Sequence, residues 1–331
     1  MLVSILIPVY NSEEYLETAI QSAIEQSWND TEIIIVDDGS TDASYDIARK
    51  YAGPNLKVYR QEHLGAPSAR NMAFMMSSGE YIQYLDADDY MDSDKIEVQL
   101  EKLAEMGYPP DAVAFCPHYR LRGEKLTEYS NNICFRSYNP AYEILIDFWL
   151  LSFPSIPSHS YLCPRDKILD AGKWDVTLEK NQDCDFFAKI IEKCSELIYC
   201  KDAYVYYRDV PNSISKASSL EKIRSELMVN ETITKIILSK TKSAKAIQAC
   251  SFRFTEFLES HYPLNKSLIK QAVEMMKKYR LSLYTVGRGT VFSFLLKGSN
   301  WVFSLWLFSY YKRLKQKKLL ITSNRSKQQT E

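Results

Sequence analysis

Tyr81-Ile82-Gln83-Tyr84-Leu85-Asp86-Ala87-Asp88-Asp89 is an apolar, aromatic run that ends abruptly in three carboxylates. Such a run reads as a buried strand, with the acids placed where it surfaces. Carboxylates this close repel one another unless a cation offsets the charge, and hard divalent ions such as Mg2+ or Mn2+ take oxygen ligands of this kind. Mg2+ accepts few protein carboxylates and completes its shell with water and substrate phosphates. The stretch therefore reads as a metal and diphosphate site at the carboxyl end of a central strand. It reads also as a solvated acidic turn, with Asp as N-cap of a helix that begins near Asp94.

Upstream, Val3 to Val9 is rich in β-branched residues, and Pro8 suits the end of a strand because it has no N–H to donate. Asn11 with Glu14 has capping chemistry, and Tyr15, Leu16, Ala19, Ile20, Ala23 and Ile24 keep a helical spacing that predicts a helix to about Gln26. Ile33-Ile34-Ile35-Val36 is a second buried strand, and it runs into Asp37-Asp38-Gly39-Ser40-Thr41-Asp42. A helix from about Ala43 to Tyr51, a strand over Leu56 to Tyr59 and a helix from about Pro67 to Met76 lead back to the Tyr81 strand. This alternation predicts an α/β, Rossmann-like fold, a mainly parallel sheet with helices on both faces. In open sheets of this type ligands bind outside the carboxyl ends of the strands. Both acidic clusters then face one crevice. Asp37 and Asp38 can accept from a base N–H or from ribose hydroxyls, and a metal on the later triplet neutralises a diphosphate, so the expected ligand is a nucleoside diphosphate. No G-x-x-x-x-G-K-[ST] loop and no G-x-G-x-x-G turn is present, which excludes the usual ATP and dinucleotide sites.

Composition narrows the classes further. The chain has 331 residues, 46% of them hydrophobic, which is ample for a packed core, and only 10 Gly and 12 Pro. A net charge of -1 gives no argument for nucleic-acid binding. Seven cysteines without a C-x-x-C pair point to reduced cytosolic thiols instead of a disulfide framework or zinc site. The apolar amino terminus lacks a basic region and is of strand length, so it reads as a first strand and not as a signal peptide.

Five segments resemble the family 2 glycosyltransferases of GT-A fold, in the family's order and spacing: Val3-Ser4-Ile5-Leu6-Ile7-Pro8-Val9-Tyr10-Asn11, Ile35-Val36-Asp37-Asp38-Gly39-Ser40-Thr41-Asp42, Gly65-Ala66-Pro67-Ser68-Ala69-Arg70-Asn71, Gly79-Glu80-Tyr81-Ile82 and Leu85-Asp86-Ala87-Asp88-Asp89. The resemblance implies an inverting transferase using a nucleotide-sugar donor, often a UDP-sugar, with Mn2+ or Mg2+. It places Pro8 and Asp38 at the border of the base, Arg70 near it, and ribose and metal on Asp86 and Asp88, with Val9, Tyr10 and Asp37 in the same donor site. For Arg70 the plain alternative is a surface ion pair, and for Asp38 a turn residue.

A second block is Gly172-Lys173-Trp174-Asp175-Val176-Thr177-Leu178-Glu179-Lys180-Asn181-Gln182-Asp183-Cys184-Asp185-Phe186-Phe187. A turn leads into a helix whose buried stripe is Phe186, Phe187, Ile190 and Ile191. The family carries its catalytic base in an acid-Asp pair just before such an aromatic pair. Here Gln182-Asp183 stands there, which makes Asp183 the expected base and Gln182 a departure. Trp174 reads either as an acceptor-pocket wall or as a core residue. Tyr207-Arg208 with Asn212-Ser213-Ile214-Ser215 continues the resemblance and puts Arg208 in the donor site. Many relatives have a His two residues after that Arg, where this chain has Val210. His118 and His159 read as structural.

The resemblance implies a GT-A catalytic domain over 1–215, and a helical region is expected over 216–331. Leu220 to Leu238, Ser243 to Leu258 and Lys266 to Tyr279 have helical spacing. Thr290 to Tyr311 is crowded with Phe, Trp, Leu and Tyr, is interrupted by Lys297 to Asn300, and is followed by Lys312, Arg313, Lys315, Lys317 and Lys318. The interruption leaves no uninterrupted spanning helix. An interfacial helix on the inner, cytoplasmic face of the membrane fits the pattern, and so does a helix docked on the catalytic domain or on a second subunit of a homo-oligomer. The overall expectation is sugar transfer to a glycan or lipid-linked acceptor in surface polysaccharide assembly. The alternatives are a sugar-nucleotide-forming nucleotidyltransferase and an inactive homologue that acts as an assembly subunit.

Overall fold

The computed structural model describes residues 1–129, 133–151, 156–210, 219–262 and 265–284. The amino-terminal alternation forms as the hydrophobic pattern predicts. β1 (Val3–Val9) is buried along its whole length, as a strand covered on both faces must be. It pairs in parallel with β2 (Thr31–Asp37) on one side and β4 (Tyr81–Tyr84) on the other, and β2 pairs in parallel with β3 (Leu56–Arg60). The crossovers are α1 (Leu16–Ile24), α2 (Ser44–Lys50) and α3 (Ala66–Met76). After β4 come β5 (Tyr90–Met91), α4 (Lys95–Glu105), β6 (Ala112–Phe115), β7 (His118–Arg122), β8 (Lys125–Tyr129) and α5 (Glu143–Leu151). A 3-10 turn at Ser158–Ser160 precedes β9 (Tyr161–Pro164), α6 (Arg165–Ala171), α7 (Gln182–Glu192), β10 (Glu196–Tyr199) and β11 (Val205–Arg208).

The main sheet has the order β10-β6-β9-β4-β1-β2-β3, with β9 alone antiparallel to its neighbours β4 and β6. That reversal sets the 3-10 turn before β9 at the same edge as the carboxyl end of β4. A smaller sheet, β5-β11-β7-β8, flanks it. Under β1, Glu32 Oε1 accepts from the Ser4 and Ser78 hydroxyls and from the Ser78 and Gly79 N–H groups. Any side chain at Gly79 would put its Cβ 2.5 Å from Ser4 Oγ, so the tie requires glycine there.

The larger of two compact units joins Met1–Phe148 with Phe153–Lys240 and so includes α8 (Leu220–Lys240), which lies past the boundary expected near residue 215. Within it, Ser225 Oγ of α8 accepts from the Glu179 N–H at 2.9 Å, and Lys180 pairs with Glu226 at 2.9 Å, so α8 holds the loop that enters α7. The second unit, Trp149–Ser152 with Thr241–Glu331, contains α9 (Ala244–His261) and α10 (Lys266–Lys278). Ser243 caps α9 by accepting from the Ala246 N–H. Asn11 does not cap α1: at φ 45 its Oδ1 accepts from the Thr41 N–H at 2.8 Å instead, tying the two loops that follow β1 and β2. No helix among the described residues is long and apolar enough to cross a membrane. The aromatic and basic stretch over 290–318 lies outside the described residues, as does Asn212-Ser213-Ile214-Ser215.

Candidate active site

The carboxyl ends of β1, β2 and β4 bring the predicted donor residues to one edge. Pro8 and Val9 are buried in ladder positions opposite Val36 and Asp37, while Tyr10 emerges, 38% exposed, and stacks on His63 at 3.9 Å. Asp37 is fully buried. Its Oδ2 accepts from the Ser40 N–H and pairs with Arg60 Nε at 3.1 Å, while Oδ1 has no hydrogen-bond partner. Asp38 differs from the expectation of a carboxylate open to a base. Its Oδ1 accepts from Gln61 Nε2 at 2.6 Å and from the Leu64 N–H at 2.9 Å, and its Oδ2 accepts from the Gly65 N–H at 2.9 Å and faces His63 Nδ1 at 2.8 Å. It is the knot of the loop that enters α3, and Asp37 Oδ1 is the unengaged oxygen of the pair.

The triplet after β4 divides into three environments. Asp86 Oδ1 accepts from Arg70 at 2.6 Å, and Oδ2 from Ser158 Oγ at 3.3 Å. Burial would raise its pKa, yet the Arg70 charge and hydrogen bond more than reverse this and hold Asp86 below the usual carboxylate value. Asp88 lacks such a partner, and burial, reinforced by the charge of Asp86, pushes it up to about 6. Asp89 is 2% exposed; burial and the charges of Asp88 and Asp86 raise it well above its ordinary value, although Oδ1 accepts the Arg208 N–H at 2.7 Å.

His159, read from sequence as structural, stands against this triplet, with Nδ1 3.4 Å from Asp89 Oδ2. It is fully buried, and burial lowers its pKa to about 3, so the imidazole is neutral and can ligate. Ligand atoms of Asp86, Asp89 and His159 lie within 4.8 Å of one another. Surplus negative charge, an Asp89 Oδ2 without a hydrogen-bond partner and a neutral imidazole together fit a divalent cation. Asp88, a predicted ligand, stands outside that group, while Asp86, the other, is within it. No local signal marks His159, because the reversed β9 brings it in from far along the chain.

Asp183 lies in the first turn of α7 behind Asn181, whose left-handed φ of 58 redirects the chain into the helix. Asp185, the next acid on α7, is 3% exposed and paired with Lys189, whereas Asp183 makes no salt bridge among the described residues. Gln182 Nε2 donates to the Leu178 carbonyl at 2.6 Å and so steadies the turn. Trp174 is a correction to the acceptor-wall reading: it is 2% exposed, stacks on Phe186 at 4.1 Å and carries the Arg70 guanidinium 4.5 Å above its ring. Through Trp174 the helix bearing Asp183 is packed to the arginine that holds Asp86.

The Glycosyl transferase family 2 model matches residues 4–168. The glycosyltransferase TuaG of Bacillus subtilis (strain 168), named for teichuronic acid biosynthesis, is 42% identical over 107 residues, which is 31% of this chain and 42% of TuaG. Chondroitin synthase of Escherichia coli is 27% identical over 249 residues, 73% of this chain and 34% of that protein. The matched stretches thus span less than half of either relative. Among solved structures, S. aureus TarS 1-349 in complex with UDP-GlcNAc aligns with a TM-score of 0.65 at 21% identity, covering 84% of this chain and 80% of that one. With the strand-end acids in register, the family match and the shared fold, the chain belongs to glycosyl transferase family 2 and has the GT-A fold.

Proposed function

We propose that the protein transfers a sugar, with inversion, from a nucleotide-sugar to a glycan or lipid-linked acceptor in surface polysaccharide assembly, with a UDP-sugar as the leading donor. The observation that carries this reading is the division of the triplet, in which Asp86 is paired with Arg70 while Asp88 makes no ion pair among the described residues and Asp89 faces His159. TarS, which shares the fold, has been solved with UDP and with UDP-GlcNAc. Asp88, the ligand expected from sequence, or the group of Asp86, Asp89 and His159 would hold Mn2+ or Mg2+, and a bound cation supplies charge stabilisation for the departing diphosphate. Tyr10 offers its ring to the base. Arg70, fixed on Trp174, keeps Asp86 ionised as an acceptor for ribose hydroxyls, and Arg208 offers N–H donors to phosphate oxygens. Asp183 takes the proton of the acceptor hydroxyl as that oxygen attacks the anomeric carbon opposite the departing nucleoside diphosphate.

The nucleotidyltransferase reading loses support from the loop after β1. The N–H groups of Asn11, Ser12 and Glu13 are already donated to Ser40, Ser44 and Asp42, so no backbone cradle for a phosphate is left there. The inactive-subunit reading keeps its motives, the neutral Gln182 beside Asp183 and Val210 where many relatives have a His. A panel of nucleotide-sugars assayed with and without Mn2+, acceptor present, tests the proposal. Metal-dependent release of nucleoside diphosphate is expected; tight donor binding without release would instead favour the inactive reading.

A further inference from the structure

Arg208 ends β11, and its guanidinium lies over two phenol rings, 4.8 Å from the centroid of Tyr15 and 5.6 Å from that of Tyr90. The stack continues behind Tyr90. Tyr206 follows at 4.3 Å with the planes 7° apart, and Tyr119 follows Tyr206 at 5.3 Å and 16°. Register makes this row, since Tyr90 opposes Tyr206 across β5 and β11, and Tyr206 opposes Tyr119 across β11 and β7. The rings therefore stand side by side on one face of the smaller sheet, facing one another. Their flat faces are used within the stack, so the row is a buttress and not a platform for a ligand.

Other arginines near the site are committed. Arg70 is paired with Asp86, and Arg120 and Arg122 with Asp209, whereas Arg208 makes no ion pair among the described residues. Its backbone is nonetheless anchored to the triplet through the bond to Asp89. A guanidinium has all its donors in its plane, so contact with aromatic rings leaves its edge N–H groups to meet a partner. An edge-presented, unpaired cation at the rim of an acidic metal-binding cluster matches a diphosphate.

We propose that Tyr15 and Tyr90 are positioning residues that clamp the Arg208 guanidinium edge-on toward the diphosphate of the donor, with Tyr206 and Tyr119 as the backstop. This rests on the nucleotide-sugar reading above. The clamp fixes a long, otherwise rotamer-rich side chain before the donor arrives, so its contribution appears in diphosphate affinity and not in recognition of the nucleoside.

The test is calorimetry on the full chain with Mn2+, titrating UDP, GDP, ADP and dTDP, then carrying the tightest diphosphate and its parent nucleoside through a set of variants. Tyr15→Leu and Tyr90→Leu are each expected to weaken the diphosphate roughly 3- to 30-fold, the range of a partly desolvated cation–ring contact, and to leave the nucleoside unchanged. Tyr15→Phe and Tyr90→Phe should restore the diphosphate. In an Arg208→Gln background the Leu changes should add nothing. Tyr15→Gln replaces Tyr15→Leu if thermal unfolding shows the latter to be misfolded. Equal losses for diphosphate and nucleoside, or losses that persist without Arg208, would overturn the clamp. If the wild type binds no nucleoside diphosphate, the donor reading fails and the clamp with it; if it binds diphosphate and nucleoside equally, the clamp alone fails.

Discussion

Asp86, Asp88 and Asp89 are near neighbours in sequence, yet each meets a different electrostatic situation, and that difference makes single substitutions informative. Asp88→Asn removes the carboxylate that makes no ion pair among the described residues and should abolish metal-dependent binding of nucleoside diphosphate while leaving thermal stability nearly unchanged. Unchanged calorimetric affinity in Mn2+ would move the cation to the deeper group of Asp86, Asp89 and His159. Asp183→Asn keeps size and much of the hydrogen bonding but removes basicity, so donor affinity should survive and turnover should fall about 100-fold or more. Near-normal turnover would exclude Asp183 as the base. His118 supplies a pH signature of stability. Burial, aided by Arg120, holds its folded pKa at about 4 against an ordinary 6.5. Both states are neutral above 6.5. As pH falls toward 4 only the unfolded chain takes the proton, so stability is lost across that window and the loss levels off below it. His159 acts in the same sense. The urea midpoint should therefore drop less between pH 7 and pH 5 in His118→Phe than in wild type, and parallel slopes would refute the assignment.

At the scale of elements, the legible part of the chain was the part with local periodicity. Burial of β1 along its length and of β2 beyond Thr31 follows from their apolar, β-branched-rich runs, and α1, α3 and α4 follow from their apolar stripes. The residues expected at the donor site from Pro8 to Tyr10, Asp37, Asp38 and Asp86 came with those elements because strand ends fix their place. What the sequence hid was long-range. Asn11 has good capping chemistry but is used across loops, and Asp38 has good recognition chemistry but is consumed by Gln61 to Gly65. In both cases a partner more than twenty positions away decides the role, and no window around the residue shows it. The Glu32 knot is of the same kind and carries a prediction. Burial opposes its ionisation, yet the Ser78 and Ser4 bonds outweigh this and lower its pKa. Glu32→Gln should thus cost about 2–3 kcal/mol in denaturant unfolding at pH 7, since a charged acceptor of several bonds becomes a neutral one. A loss under about 0.5 kcal/mol would show that the knot is not a structural tie.

For the whole molecule, the aromatic stretch over 290–311 and its basic flank remain a proposal drawn from sequence. Several Trp, Phe and Leu side chains at about 1.5 to 3 kcal/mol each, with about 1 kcal/mol per basic residue near anionic lipid, suffice to hold a protein at a bilayer. The full chain should float with anionic vesicles at low salt and less at high salt. No flotation at either ionic strength would favour docking on protein, and truncation after Leu283 should then lower stability or break up an oligomer. The reversed strand β9 has a different kind of consequence, one in time. It fills the slot between β4 and β6, both of which leave the ribosome earlier, so a nascent chain that ends before Tyr161 has two facing strand edges and nothing between them. Such edges recruit other strands, which makes this interval the one in which the polypeptide is most exposed to misassembly. Insertion of β9 ends the interval and in the same event delivers Ser158 and His159 to the acidic triplet, so the proposed cation site of Asp86, Asp89 and His159 should be complete only when the sheet closes.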